Sequence, residues 1–218
     1  WQEQTFSSVR GFPVAVTFHE NRLVFGGTSS QPDAIWMSKT GEYWNFDVGS
    51  ANDTDSIQLI AATGEVNEIR HLMSNRDLQI FTASNELFVP TFLGNAITPT
   101  NAQLRKQTPY GSEWIRPESL DGATIFVQKN GAIVREYLFS DAEDSYTSSS
   151  ISSISSHLIK TPVEQTALRG AINRNESYLF ITNNDGTIAV FNSNRTEKRA
   201  GWVEFTTRGM FKSVVAID

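Results

Sequence analysis

"VTFHENRLVFGG", residues 16–27, sets a histidine, a glutamate and an arginine within four positions of one another inside an apolar run. Upstream, Val14, Val16 and Phe18 alternate with Ala15 and Thr17; downstream, Leu23 and Phe25 resume the same phase. A period of two is the pattern of a half-buried β-hairpin, because successive strand side chains point to opposite faces. His19-Glu20-Asn21-Arg22 then reads as the connection. Asparagine tolerates the left-handed backbone that such turns require, and charged neighbours suit an exposed tip. The cluster therefore reads as a structural hairpin tip before it reads as a reactive site.

Similar units follow along the chain: "NRDLQIFTASNELFVP", "DGATIFVQKNGAIVREY" and "NESYLFITNNDGTIAVF". Each has a polar turn, a short strand with aromatic or β-branched residues, a second turn with Gly or Asn, and a further strand. The Asp185-Gly186 pair within "NNDGT" reads as a hairpin turn. With Phe25, Phe81, Val127 and Ile181 as anchors, the spacing is roughly 50 residues, in the range of propeller repeats. "GEYWNFD" (41–47) and "GWVEFT" (201–206) both place a tryptophan shortly before a phenylalanine after a glycine, as candidate outer strands of equivalent blades. Twisted sheets diverge with radius, and large aromatic side chains fill the wedge between them.

These patterns predict an all-β chain with an irregular β-propeller-like fold of about four antiparallel blades, incomplete at both ends. A β-sandwich is the competing architecture. One short Ser-rich helix is expected in "DAEDSYTSSSISSISSHLIK", where Ile151, Ile154 and Leu158 fall at i, i+3 and i+7; the alternative there is a Ser-rich linker. "GSANDTDSIQ" and the stretch 91–117, with Pro99, Pro109 and Pro117, read as long loops. Residues 1–218 are read as a single domain. With no initiator methionine and a β-branched run at the end, both termini read as cuts inside a longer polypeptide.

The composition narrows the function classes. A chain of 218 residues, 39% hydrophobic and 19% charged, can bury a full core. A net charge of −6 argues against gripping phosphate backbones, which relies on Lys and Arg releasing counterions. The absence of cysteine removes disulfides, thiolate nucleophiles and Cys-ligated zinc, and fits an intracellular folding environment. No run of about 18 apolar residues suggests membrane insertion. His19, His71 and His157 lie far apart, without an H-x-x-x-H or H-E-x-x-H spacing. His71 reads as a strand residue.

Asp47, Asn52, Asp53 and Asp55 could offer oxygens to a hard cation, but they lack the EF-hand spacing, and a solvated acidic loop is the simpler reading. Neither a G-x-S-x-G elbow nor a P-loop nor a G-x-G-x-x-G fingerprint is present. The residues thus suggest no catalytic, cofactor-binding or metal site. Paired carboxylates of a glycosidase stay conceivable, since sequence does not show their separation.

The segment "GFPVAVTFHENRLVFGGTSSQPDAIWMSKTGEYWNF" is similar to virion proteins of tailed bacteriophages, and the order continues with "NEIRHLMSNRDLQIFTASNELFV", "ITPTNAQLRKQTPYG" and "DGATIFVQKNGAIVREY". It resembles the tail nozzle, or tail tubular protein B, family of short-tailed phages, well over residues 5–160 and loosely beyond. The resemblance implies a non-enzymatic structural protein of the phage tail, synthesised in the bacterial cytoplasm. It further implies an irregular propeller that joins other tail and virion proteins as a homo-oligomeric ring around the DNA exit channel. A conduit that must release DNA is better lined with acidic than with basic residues, so specific nucleic-acid binding is not expected. The alternative is a carbohydrate-binding or glycoside-hydrolysing propeller module, in which Trp36, Trp44, Trp114 and Trp202 would stack on sugars.

Overall fold

The computed structural model describes residues 5–61, 67–91, 96–171 and 175–217. Its strands form four antiparallel sheets of four strands each, every sheet a meander in chain order. The first is β1 (Ala15–His19), β2 (Arg22–Gly26), β3 (Ala34–Met37) and β4 (Ile57–Ile60); the second is β5 (Ile69–Ser74), β6 (Leu78–Thr82), β7 (Glu86–Val89) and β8 (Arg105–Thr108). The third comprises β9 (Glu118–Leu120), β10 (Ala123–Val127), β11 (Val134–Ser140) and β12 (Ser145–Ser150); the fourth comprises β13 (Pro162–Leu168), β14 (Ser177–Asn183), β15 (Ile188–Asn194) and β16 (Arg199–Phe205). The expected hairpins are here: "NRDLQIFTASNELFVP" supplies β6 and β7, "DGATIFVQKNGAIVREY" β10 and β11, and "NESYLFITNNDGTIAVF" β14 and β15. The all-β reading, with four antiparallel sheets, thus holds.

The chain divides into two compact units, Trp1–Ser112 and Glu113–Asp218. In the first, Val24, Ile35, Met37 and Ile57 of one sheet and Ile69, Leu72, Leu78, Ile80, Leu87 and Val89 of the other form one buried cluster. Gly26 lies at the seam, where an added Cβ would stand 3.0 Å from Ile69 and 3.1 Å from Leu72. In the second unit, Leu120, Ile125 and Val134 pack with Leu179, Ile181, Ala189 and Phe191. Burial of such side chains contributes roughly 1.5–3 kcal/mol each, and this is what holds short strands whose own pairing is weak. In both units the meanders meet beside their first strands: β1 lies against β5, and β9 against β13. The Greek-key crossing of many sandwiches does not occur among the described strands.

Three local expectations need correction. "GEYWNFD" is not a strand: it is the turn between β3 and β4, pinned by Lys39 N–H donating to Asn45 O at 2.8 Å. "GWVEF" is the outer strand it was expected to be, lying within β16. The expected short Ser-rich helix is there, as the 3-10 helix Ser153–Leu158, but it covers less of the segment than the spacing suggested. Ser145–Ser150 is β12, whose Tyr146 stacks on buried Tyr137 at 4.5 Å. Leu158 is buried as expected, but Ile154 is 96% exposed, so the supposed apolar stripe does not exist. The loop 91–117 likewise contains β8. Among the described residues no helix is long and apolar enough to cross a membrane.

Candidate functional site

The His19-Glu20-Asn21-Arg22 tip is a tight turn. His19 pairs with Arg22 across the hairpin, and Glu20 and Asn21 have φ of 45° and 58°, the left-handed pair of a two-residue type I′ connection. The charged flanks are not exposed, contrary to the expectation for a tip. Arg22 is 2% and His19 6% accessible. Parity explains it: Arg22 shares the inward face of β2 with Val24, and His19 that of β1 with Ala15.

Arg22 acts as a clasp. One guanidinium nitrogen donates to Ser38 O at 2.7 Å and Asp55 O at 2.6 Å, and the other to Asp53 O at 2.9 Å and Ile97 O at 3.3 Å. Four carbonyls from two connections, β3–β4 and β7–β8, are thereby gathered on one planar cation, a task suited to the five donors of arginine. Burial pulls the Arg22 pKa below its ordinary value, and Glu20 and Asp55 oppose that shift. Glu20 joins the clasp by accepting from Ile97 N–H at 2.8 Å.

Asp55 is not a solvated residue, and its polar partners are protein groups. Its Oδ2 accepts from Asn52 N at 2.9 Å and Ser50 N at 3.1 Å, and Lys39 Nζ lies 3.2 Å from Oδ1. The Asn52 backbone bond, followed by Lys39, holds its carboxyl below the usual carboxylate range. Asp53 contributes its backbone carbonyl to Arg22, while Asp47 accepts from Gly49 N at 3.3 Å. The loop's carboxylate is engaged by an ammonium and backbone N–H groups. Among the described residues no group of three His, Asp or Glu side chains is placed to hold a metal ion.

His19 sits between two sheets, its Nδ1 2.9 Å from Ser74 Oγ on β5, with Nε2 buried and unpaired. Burial lowers its pKa, and Glu20 and Asp77 offset this in part. The folded state therefore resists protonation where the unfolded chain, near 6.5, accepts it. Stability is undiminished above that value and falls as the pH drops from it through the lower folded pKa. Urea midpoints should accordingly decline between pH 7.5 and 5.5, and His19→Asn, which keeps a donor near Ser74 but does not titrate there, should flatten the decline. An equal slope in the variant would contradict this assignment. His71 lies on β5 and His157 on the 3-10 turn, so the fold places the three histidines on separate elements.

The four tryptophans considered as sugar platforms divide evenly. Trp36 is buried under Phe6, with ring centroids 5.2 Å apart, and Trp202 packs on Phe191 at 4.9 Å while its indole donates to Ile151 O at 2.8 Å. Trp44 and Trp114 remain exposed, each in a different unit. In the second unit a polar cavity of about 750 Å³ is lined by Asp121, Arg169, Ser177 and Glu197 among others. Its Ser177 Oγ donates to Asp121 Oδ1 at 2.5 Å and accepts from Gly170 N at 3.1 Å, which makes the pair a turn brace.

The apolar exposure lies elsewhere. On β1 the side chains facing away from the core, Val16 and Phe18, are 59% and 60% accessible. Hydrophobic alternation alone would have turned these residues inward.

The family model described as bacteriophage nozzle protein matches residues 14–208. The chain belongs to the bacteriophage nozzle protein family. A structural role in the phage tail, as a virion component among other tail proteins, comes with that membership. The nozzle match brackets every described strand, from the start of β1 to the end of β16, and so extends past residue 160, where the quoted motifs thin out. No curated protein matches the chain. Sequence reasoning missed Arg22 as an organiser of this nozzle fold, although its parity with Val24 was a usable signal.

Proposed function

We propose that this nozzle-family chain works by assembly, without catalysis: copies of it form a homo-oligomeric ring around the path by which DNA leaves the tail, in contact with other tail proteins. We further propose that its two units belong to one propeller-like domain. The observation that carries the reading is the open apolar face of β1, with Val14, Val16 and Phe18 beside Tyr43 and the 90% exposed Trp44. Contiguous apolar surface flanked by polar loops marks a protein interface. The net charge of −6 supports a conduit that lets DNA slide instead of holding it.

Mass photometry and negative-stain microscopy of the chain mixed with its neighbouring tail proteins test this. Closed rings of one discrete stoichiometry, with no retardation of duplex DNA at low salt, are the expected result. Monomers alone under conditions that assemble tails would contradict it.

A further inference from the structure

The first meander buries one face and leaves the other open at its edge strands, while Phe6 and Phe46 cover Phe25 and Trp36 in the middle. Across its register, Val16, Phe25, Trp36 and Gln58 form one row of the outer face, and Phe18 and Leu23 the next. Val16 and Phe18 are exposed on β1, Val14 just before it and Ile60 on β4, and Phe18 meets Tyr43 edge-on at 5.3 Å. A groove of about 560 Å³ crosses this face, floored by Trp36 between Phe6, Phe46 and Gln58. The Trp36 indole N–H is buried and has no partner.

The fourth meander presents a counterpart. Thr166, Phe180, Val190 and Val203 form a row on the face turned away from Leu179, Ile181 and Phe191. Val203 and Phe205 are about half exposed there, whereas Val190 of the same row is buried. The two regions also differ in charge. Residues 33–55 hold Asp33, Glu42, Asp47, Asp53 and Asp55 against Lys39, whereas residues 195–212 hold Arg195, Lys198, Arg199, Arg208 and Lys212 against Glu197 and Glu204.

We propose that the outer face of the β1–β4 sheet in one copy packs against the outer face of the β13–β16 sheet in a second copy, head to tail. This rests on the ring reading above and names its contact. Charge favours the pairing, since two first meanders face to face would oppose acidic loops, while a first against a fourth sets acidic beside basic. Val16 of β1 and Thr166 of β13 head the two outer-face rows, and the proposed contact sets these two ends together. A contact between two different patches repeats from copy to copy and closes into a ring when the rotation allows.

The chain has no cysteine, so engineered pairs give a clean readout. Val16→Cys and Thr166→Cys variants of the full chain are mixed under assembling conditions and oxidised. A disulfide dimer should form in the mixture and in neither variant alone. Phe18→Asp and Val203→Asp should each raise the concentration needed for assembly at least about tenfold, as expected for an interface anchor, with unchanged circular dichroism and melting. Rings that form normally without the mixed crosslink would overturn this contact and leave the ring reading intact. Wild-type chain that never forms rings would sink both. A crosslink within one polypeptide of the double variant, seen as a faster-migrating monomer, would mean that the two faces close on each other in a single copy and would overturn the proposal.

Discussion

Replacing Arg22 by methionine is expected to lower the unfolding free energy of the first unit by about 3–5 kcal/mol, the range for removing one member of a buried charged network. Methionine fills much of the side-chain volume but donates nothing. The carbonyls of Ser38, Asp55 and Ile97 would be left buried without this donor, and only that of Asp53 lies where water reaches it readily. Orphaned carbonyls cost less than orphaned N–H groups, and the variant no longer has to desolvate a cation, which keeps the figure below the sum of four charged bonds. Arg22→Lys should fall between, because a compact ammonium cannot span four divergent acceptors. Urea denaturation followed by tryptophan fluorescence gives the number, and amide exchange gives the location. Exchange should accelerate first in residues 50–56, where Asp55 organises the loop. A loss below about 1 kcal/mol, the size expected of an exposed charge, would mean that the clasp is ornamental.

The second large effect is expected at Gly111, where alanine should cost about 3 kcal/mol through strain in the backbone, within the range of left-handed non-glycine strain plus a clash. Gly111 has φ of +70°, and a Cβ there would stand 2.5 Å from the carbonyl oxygen of Ala83 and 2.9 Å from its carbon. Backbone atoms cannot swing aside as a side-chain tip can. Any retreat also disturbs the next residue, whose N–H donates to Thr82 O at 2.8 Å and whose carbonyl accepts from Arg70 at 2.6 Å. Gly122→Ala, at a similar φ of +79° but with open space around it, isolates the conformational part and should cost roughly 1 kcal/mol. Thermal melts of the two variants would separate clash from strain, and equal losses would refute the clash.

Much of the fold was legible because its turns announce themselves. Asp185-Gly186 and Asn130-Gly131 each mark a hairpin with a left-handed glycine, and the flanking runs carry the β-branched and aromatic residues of strands. The Ser-rich stretch was legible only in part: its short helix exists, but the strand before it was missed because serine carries almost no hydropathy. The period of two in Ser145–Ser150 rests on Tyr146 alone, while Ile151, Ile154 and Leu158 happened to match a helical spacing. "GEYWNFD" misled for a related reason: aromatic residues promise a strand, but here they lie in a turn whose Phe46 folds back on Phe25 at 5.5 Å.

The orientation of β1 was the least legible feature. Alternation identifies two faces without saying which is covered. Ala15 and His19 took the covered one because a neighbouring sheet approaches closely on that side, against Ile69 and Leu72, leaving room for small or hydrogen-bonded side chains. The tip reads as a hairpin turn in the sequence, yet its use of Arg22 to gather distant loops depends on contacts up to 75 positions away, which no local pattern encodes.

The most direct test of the central claim, that this nozzle-family chain acts as a wall-forming structural element and not as a chemical site, is a cryo-electron microscopy reconstruction of tails containing it. The account predicts a closed ring of copies around the DNA path, with the Val16 and Phe18 face of each copy covered by a neighbour and Arg22 inside the protomer. Density placing the chain as a separate appendage on the tail exterior, with that face in solvent, would contradict it.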